Sequence, residues 1–197
     1  MTNMLGHPSA SPERQIQESK YNAARLNLLL VVAFTAINII LFVANGNYYL
    51  LFSAFLPYVL PSIGMELCGM LPPEYYDEYY EGGYAAQEFF APSVFYVLLG
   101  ISVAILALYV VAWLFSKNQK GGWLIFALVL FGLDTVFMLI GGISVDMLLD
   151  YVFHAWVIYE LVVGVVAWRK LKMMPIEEPV PVSETETPPT DDFGMPQ

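Results

Sequence analysis

The sequence predicts an all-α integral membrane protein, a bundle of four transmembrane helices with both termini in the cytoplasm. The chain is 58% hydrophobic and only 13% charged, whereas soluble domains carry about 25% charged residues. Four apolar runs are each long enough to cross a bilayer. If all four cross, every basic residue falls on one side, and an excess of Lys and Arg marks the cytoplasmic side. The eight basic residues are Arg14, Lys20, Arg25, Lys117, Lys120, Arg169, Lys170 and Lys172.

Residues 1–11 are polar and are predicted to be a flexible N-terminus. Ser11-Pro12-Glu13 then predicts a helix start, with Ser as the N-cap and Pro at the first helical position. The helix is expected over residues 12–44, and its apolar part, residues 26–44, measures about 28 Å, close to the hydrocarbon thickness. A cleaved signal peptide is the alternative, but the polar lead is long and no clear A-x-A site follows.

A long extracytoplasmic loop is predicted over residues 45–91, and its first part, residues 47–63, is apolar enough to suggest a fifth span. Pro57 and Pro61 interrupt this run, which is also short. A fifth span would put the later basic residues opposite the N-terminal ones. We therefore expect a short interfacial helix or a re-entrant segment at the outer surface.

The second part of the loop carries the run EYYDEYYEGGY, in which tyrosines alternate with acids. One interpretation is a surface for a cation or a protein partner. The other is a solvated cap whose aromatic rings rest on the bilayer. The spacing of the acids matches no calcium-binding loop, which needs ligands at defined positions around a turn glycine.

The remaining spans are predicted at residues 92–115, 123–141 and 146–168, within a membrane domain of residues 12–172. In the second span Gly100, Ala104 and Ala107 form a small-residue stripe that would allow close helix approach. Residues 173–197 are acidic and rich in Pro, and a disordered cytoplasmic tail is expected there.

Polar and ionisable residues within the spans are costly and usually face the bundle interior, and six of them are predicted to form a cluster. The third and fourth spans form a hairpin through Gly141-Gly142, which puts Asp134 opposite His154 and predicts that they pair. Glu160 lies lower and needs either another partner, for which Tyr109 is a candidate, or a water-filled gap. These residues either fix the packing of the bundle or line a transport site. The predicted cluster is Asn38, Ser102, Asp134, Asp150, His154 and Glu160.

Three segments resemble stretches of small four-span membrane proteins of Gram-positive anaerobic bacteria. They are LLFSAFLPY (50–58), GWLIFALVLFGLDTVFML (122–139) and DYVFHAWVIYELVVGVVAWRKLK (150–172). The resemblance implies a multi-pass protein of a bacterial plasma membrane and implies no activity.

Composition excludes some functions and leaves three open. A net charge of −10 argues against nucleic acid as a partner. One Cys, two His and no CxxC argue against a metal or cofactor. The first hypothesis is a non-enzymatic protein that binds a partner or self-associates in the lipid bilayer. The second is a small transporter or proton or cation pathway using Asp134, His154 and Glu160. An intramembrane enzyme is third, because no catalytic motif is present and Ser102 is the only nucleophile at the level of the His-Asp pair.

Overall fold

A computed structural model describes residues 11–44, 50–142 and 145–175, and this part of the chain is helical without strands. The predicted flexible N-terminus, apart from Ser11, and the tail from residue 176 onward lie outside the described residues. Two 3₁₀ turns, Tyr84–Ala86 and Val145–Met147, complete the regular structure. The α-helices are α1 (Pro12–Val43), α2 (Phe55–Leu67), α3 (Pro73–Tyr79), α4 (Ser93–Phe115), α5 (Gly121–Ile140) and α6 (Leu148–Met173).

Four of these helices, α1, α4, α5 and α6, are long and apolar enough to cross a membrane. Each falls within a few residues of a predicted span at either end, except that α1 and α6 extend past the apolar runs at the end that carries the basic residues. Ser11 is the N-cap residue of α1 and Pro12 its first helical residue, as predicted, although the Ser11 side chain makes no capping hydrogen bond.

The four long helices form a ring in which α1 packs on α6 and α4, and α5 packs on α4 and α6. The N-termini of α1 and α5 and the C-termini of α4 and α6 share one end, which we call the basic end. There the Tyr21 hydroxyl donates to the Ser116 carbonyl oxygen at 2.5 Å. The Arg25 guanidinium donates to the Ser116 hydroxyl at 2.9 Å and the Trp113 carbonyl at 3.3 Å. These bonds satisfy carbonyls that the C-terminus of α4 would otherwise leave unpaired.

Close helix approach uses glycines other than the predicted ones. A methyl group at Gly164 would collide with Ala24 of α1, and one at Gly121 would collide with the Trp168 ring. By contrast, a methyl group at Gly100 would meet nothing within 4 Å, and Ala104 and Ala107 are also exposed. The expected stripe on α4 therefore faces away from the bundle, because small size alone does not say which side of a helix is buried.

The apolar part of the outer loop forms a short helix that starts inside the bundle. Its N-terminus contacts Asp134, which lies six residues before the end of α5, or about 9 Å below it. The predicted short helix is confirmed, and Pro57 and Pro61 do not interrupt it. Pro57 lies in the first turn of α2, where no intrahelical donor is needed, and Pro61 lies within the helix. We call residues 50–54 the strap and residues 50–91 the cap.

The second part of the loop, which carries the run EYYDEYYEGGY, contains a helix that the sequence pattern did not predict. Pro72 precedes α3, and Glu74 lies in its first turn. Tyr76 is the buried centre of an aromatic cluster at 1% exposure, and its ring lies 5.1 Å from that of Phe89. The alternating tyrosines and acids of this segment thus include one core residue on a helix.

Candidate functional site

Asp134 of α5 is the centre of the polar interior, where it binds the N-terminus of α2. The Phe55 and Leu56 amide N–H groups each donate to one of its carboxylate oxygens at 2.8 Å. The side chain is buried at 1% exposure. An anion at a helix N-terminus is stabilised both by these N–H groups and by the helix dipole. Asp134 therefore acts as a capping residue supplied by a different helix.

The other first-turn groups of α2 are satisfied as well. A helix leaves its first four N–H groups without intrahelical acceptors. At the cap position the Ala54 N–H donates to the Thr35 hydroxyl of α1 at 2.8 Å. The fourth position is Pro57, which has no N–H. Side chains of α1 and α5, together with one proline, thus allow α2 to start away from water.

Asn38 of α1 holds the strap through both ends of its amide. The amide nitrogen donates to the Leu50 carbonyl at 2.8 Å and to the Ser53 hydroxyl at 2.9 Å, and the Leu50 N–H donates to the amide oxygen at 2.8 Å. Irregular backbone at membrane depth is tolerated only where protein groups or water satisfy it. Asn38 performs this role for the first residue of the strap.

The strap turns sharply at Phe52, whose φ of 70° lies in the left-handed region. A bulky residue there costs about 1–3 kcal/mol. Its ring packs among three others, with centroids 3.6 Å from Phe153, 5.6 Å from Trp156 and 6.2 Å from Phe34. Aromatic packing and the bonds to Asn38 and Thr35 together offset this strain.

His154 contacts Asp134, as the hairpin geometry predicts, and the surroundings define the protons of the pair. Its Nδ1 lies 2.8 Å from the Asp150 carbonyl oxygen, which can only accept, so Nδ1 carries a proton. Its Nε2 lies 3.3 Å from Asp134 Oδ2. Two lone pairs would face each other without a proton between these atoms. The pair therefore holds one further proton, on Nε2 or on the carboxyl group, and is neutral overall in either form.

The imidazole is also fixed by stacking and burial. The Phe131 ring lies parallel to it within 21°, with centroids 4.9 Å apart. His154 is 2% exposed and Phe131 is 1% exposed. The ring therefore has little freedom to rotate toward another acceptor.

Two buried hydroxyls on α4 have no hydrogen-bond partner among the described residues. They belong to Ser102 and Tyr109, which are seven residues apart and so face the same side of the helix. The Tyr109 ring lies 6.3 Å from that of Phe131, measured between centroids. Of the two alternatives for Glu160, pairing with Tyr109 is wrong, because the Tyr109 hydroxyl has no partner among the described residues.

Asp150 and Glu160 do not join the centre. The Asp150 carboxylate lies near Tyr58 of α2, while its backbone carbonyl accepts from His154. Glu160 is half-buried, six residues and about 9 Å beyond His154 toward the basic end. It makes no hydrogen bond or ion pair with any residue that the structure describes.

Thr35 is the functional residue that sequence reasoning missed. It lies three residues before Asn38 and therefore on the same face of α1. A pair of hydrogen-bonding side chains one turn apart in an apolar run was the available signal. A threonine in a span commonly bonds back to its own helix, as Thr135 does with the Phe131 carbonyl at 2.8 Å, so Thr35 alone gives no sign of this role.

The exposed face of the cap is aromatic and acidic. Residues 50–91 contain six acidic side chains and no Lys or Arg. Tyr79 is 64% exposed and Phe90 is 59% exposed. The Tyr80 hydroxyl donates to the Glu66 carboxylate, and this bond raises the pKa of Tyr80 to about 12. A cleft of about 70 Å³ beside Glu66 and Tyr80 is well below the size of ordinary ligand pockets.

The polar groups of the bundle interior form hydrogen bonds, and Asp134 and His154 share one proton. No group of three or more His, Cys, Asp or Glu able to hold a metal occurs within residues 11–44, 50–142 and 145–175. No protein-family model, curated protein or solved structure matches the chain. Its function therefore has to be argued from its own residues.

Proposed function

We propose that the protein is a non-enzymatic plasma-membrane protein whose four spans hold a rigid extracytoplasmic cap that binds a protein partner with a basic surface. The observation that carries the proposal is that Asp134 binds the N-terminus of α2. Both of its carboxylate oxygens accept amide N–H groups of α2. The most buried acid of the described residues thus holds the cap in place.

The surface of the cap supports a protein partner over a small molecule. Its cleft is small, while Tyr79, Tyr80 and Tyr84 are exposed. Tyrosine is enriched among the residues that contribute most to protein interfaces. Acidic side chains without a basic neighbour favour a positively charged partner and would oppose association of two caps.

A photo-reactive amino acid at Tyr79 tests the proposal in intact cells. We expect one adduct of defined mass, and the double variant Glu74→Lys, Glu78→Lys should reduce it at least fivefold. Neither glutamate has a hydrogen bond within the described residues, so the fold should persist. The matched control is the same probe at Tyr159, which is 62% exposed on α6. No adduct at position 79, or one indifferent to charge reversal, would contradict the proposal.

The orientation belongs to the same proposal and has its own test. All basic residues gather at one end of the chain's four long helices, which favours that end as cytoplasmic. After Cys68→Ser, a cysteine at Glu78 should react with an impermeant reagent from outside. One at Lys117 should react only after permeabilisation. The reverse pattern would invert the protein in the membrane.

A proton pathway is the second candidate, and the unpaired hydroxyls of Ser102 and Tyr109 favour it. They lie in the bundle interior with Asp134 and His154, which share a proton. Against it, the Asp134 oxygens are already occupied, and Glu160 stands apart. Proton flux into liposomes that is lost in Asp134→Asn, with the fold retained, would favour this pathway. No flux in the wild-type protein would exclude it.

A further inference from the structure

A cleft at the basic end combines unbalanced positive charge with polar side chains. It has a volume of about 260 Å³ and lies between the start of α1 and the α4–α5 turn. Its walls carry Arg25, Lys117, Glu18 and amide side chains of Asn22, Asn118 and Gln119.

The charge of Arg25 has no carboxylate partner in the described part of the chain. Two of its five N–H groups donate to the neutral oxygens of Ser116 and Trp113, which fixes the guanidinium in place. Three N–H groups remain for another acceptor. A positioned guanidinium with free donors is suited to a phosphate group.

The one acid of the cleft does not cancel this charge. Glu18 accepts from Arg14 at 3.2 Å in an ion pair and from the Gln119 amide at 3.2 Å. Arg14 therefore balances Glu18, and the charges of Arg25 and Lys117 remain. The Glu18 contact also attaches Gln119 to α1 and shapes the wall of the cleft.

The shape of the turn that carries Lys117 is set by the backbone conformation of the two residues that follow it. Asn118 and Gln119 both have φ of 58°, in the left-handed region. Asparagine tolerates this conformation better than most residues. The two residues reverse the chain within a few positions and place Lys117 and the amide side chains beside α1.

We propose that this cleft binds the phosphate of an anionic phospholipid headgroup. The inference rests on the proposed insertion into a bilayer, which would place the cleft at headgroup level, near Trp113 and Trp123. Basic pockets between spans at the cytoplasmic side bind such headgroups. A lipid is favoured over free phosphate because the cleft opens where four apolar helices end, so acyl chains of a bound lipid would lie along their outer surfaces.

Native mass spectrometry of the purified protein in detergent tests the proposal by titration with phosphatidylglycerol or phosphatidylcholine. We expect one retained phosphatidylglycerol and no comparable phosphatidylcholine. Lys117→Gln should weaken phosphatidylglycerol binding about fivefold, the effect of one basic charge near an anionic lipid. The Lys117 side chain is exposed and has no hydrogen bond within the described residues, so this variant should fold. Glu18→Gln should tighten binding, since the cleft becomes more positive.

The control is Lys170→Gln, which removes the same charge from an exposed position of α6 at the same end but outside the cleft. It should leave binding unchanged. Equal weakening by Lys117→Gln and Lys170→Gln would reduce the effect to general electrostatics and overturn the site. Displacement of the lipid by equimolar inorganic phosphate would overturn the lipid assignment. Failure to float with liposomes would instead contradict membrane insertion, so the two failures are distinguishable.

Discussion

At one end of the bundle side chains pair with backbone N–H groups, and at the other end they pair with backbone carbonyl groups. At the cap end, Asp134, Thr35 and Asn38 accept N–H groups of the strap and of the first turn of α2. At the basic end, Tyr21 and Arg25 donate to carbonyls at the last turn of α4. In both places a long helix supplies the side chain that another helix terminus lacks.

The difference between the ends lies in depth. The cap-end groups are buried at 1% exposure or less, whereas at the basic end Tyr21 is 2% exposed, Arg25 is half-buried and both line a cleft. A lost partner costs most where water cannot replace it. The comparison therefore predicts larger losses for changes at the cap end.

The largest effect is expected for Asp134→Ala. It leaves the Phe55 and Leu56 N–H groups unpaired and removes the partner of His154. A loss of about 2–5 kcal/mol in unfolding free energy is expected for two stranded buried donors. His154→Ala should cost less, because Asp134 keeps both amide bonds. The measurement is reversible unfolding in detergent micelles. The double variant should lose less than the sum, and strict additivity would contradict a direct contact.

The second-largest effect compares Thr35, whose hydroxyl accepts a hydrogen bond from the strap, with Thr135, whose hydroxyl donates to its own helix. Thr35→Val keeps the shape and strands the Ala54 N–H, and about 1–3 kcal/mol should be lost. The matched control is Thr135→Val, which removes only a bond back to the Phe131 carbonyl and should change stability by less than about 0.5 kcal/mol. Thr35→Ser should recover most of the loss. Equal effects at the two threonines would contradict the role given to α1.

A pair of tyrosines compares the basic end with the bundle interior. Tyr21→Phe removes the donor to the Ser116 carbonyl and should cost about 1 kcal/mol. Tyr109→Phe removes a hydroxyl that has no partner among the described residues and should be neutral or stabilising. Thermal unfolding of both variants in the same detergent measures the difference. A large loss for Tyr109→Phe would reveal a bond to internal water and would favour the proton pathway.

The smallest effect lies on the surface of the cap, where a hydrogen bond is exposed to water. The bond to Glu66 raises the pKa of Tyr80 from 10.0 to about 12. A raised pKa in the folded protein stabilises the fold fully below pH 10, and this contribution is lost as the pH rises through about 12. Ultraviolet titration of tyrosinate should show several late-titrating groups, because burial also raises the pKa of Tyr75 and Tyr76. Glu66→Gln should move the Tyr80 transition from about 12 back toward 10. An unchanged titration curve in Glu66→Gln would mean that the two side chains do not interact.

The positions of the long helices followed from the sequence because hydrophobic length and the distribution of basic residues act locally along the chain. The contact between Asp134 and His154 followed as well, since a tight hairpin fixes which residues face each other. The membrane topology itself stays a prediction.

The role of Asp134 could not be predicted in the same way. Its bonds run to backbone groups 79 and 78 residues away, and an amide N–H has no sequence signature. Pro57 interrupts an apolar run, and the sequence alone does not show that a helix starts just before it. The small residues at Gly100, Ala104 and Ala107 do not mediate helix packing, because their spacing places them on one side of α4 without showing whether another helix lies there.

The sequence separation between Asp134 and α2 also constrains how the protein is made. Thr35 and Asn38 are synthesised before the strap, but Asp134 follows Phe55 by 79 residues. At about 5–20 residues per second, a ribosome needs about 4–16 s to supply it. During that interval the Phe55 and Leu56 N–H groups lack their carboxylate acceptor, although Thr35 and Asn38 are already present. The cap can therefore reach its final contacts only after Asp134 has been synthesised, and a nascent chain that stops earlier cannot make them.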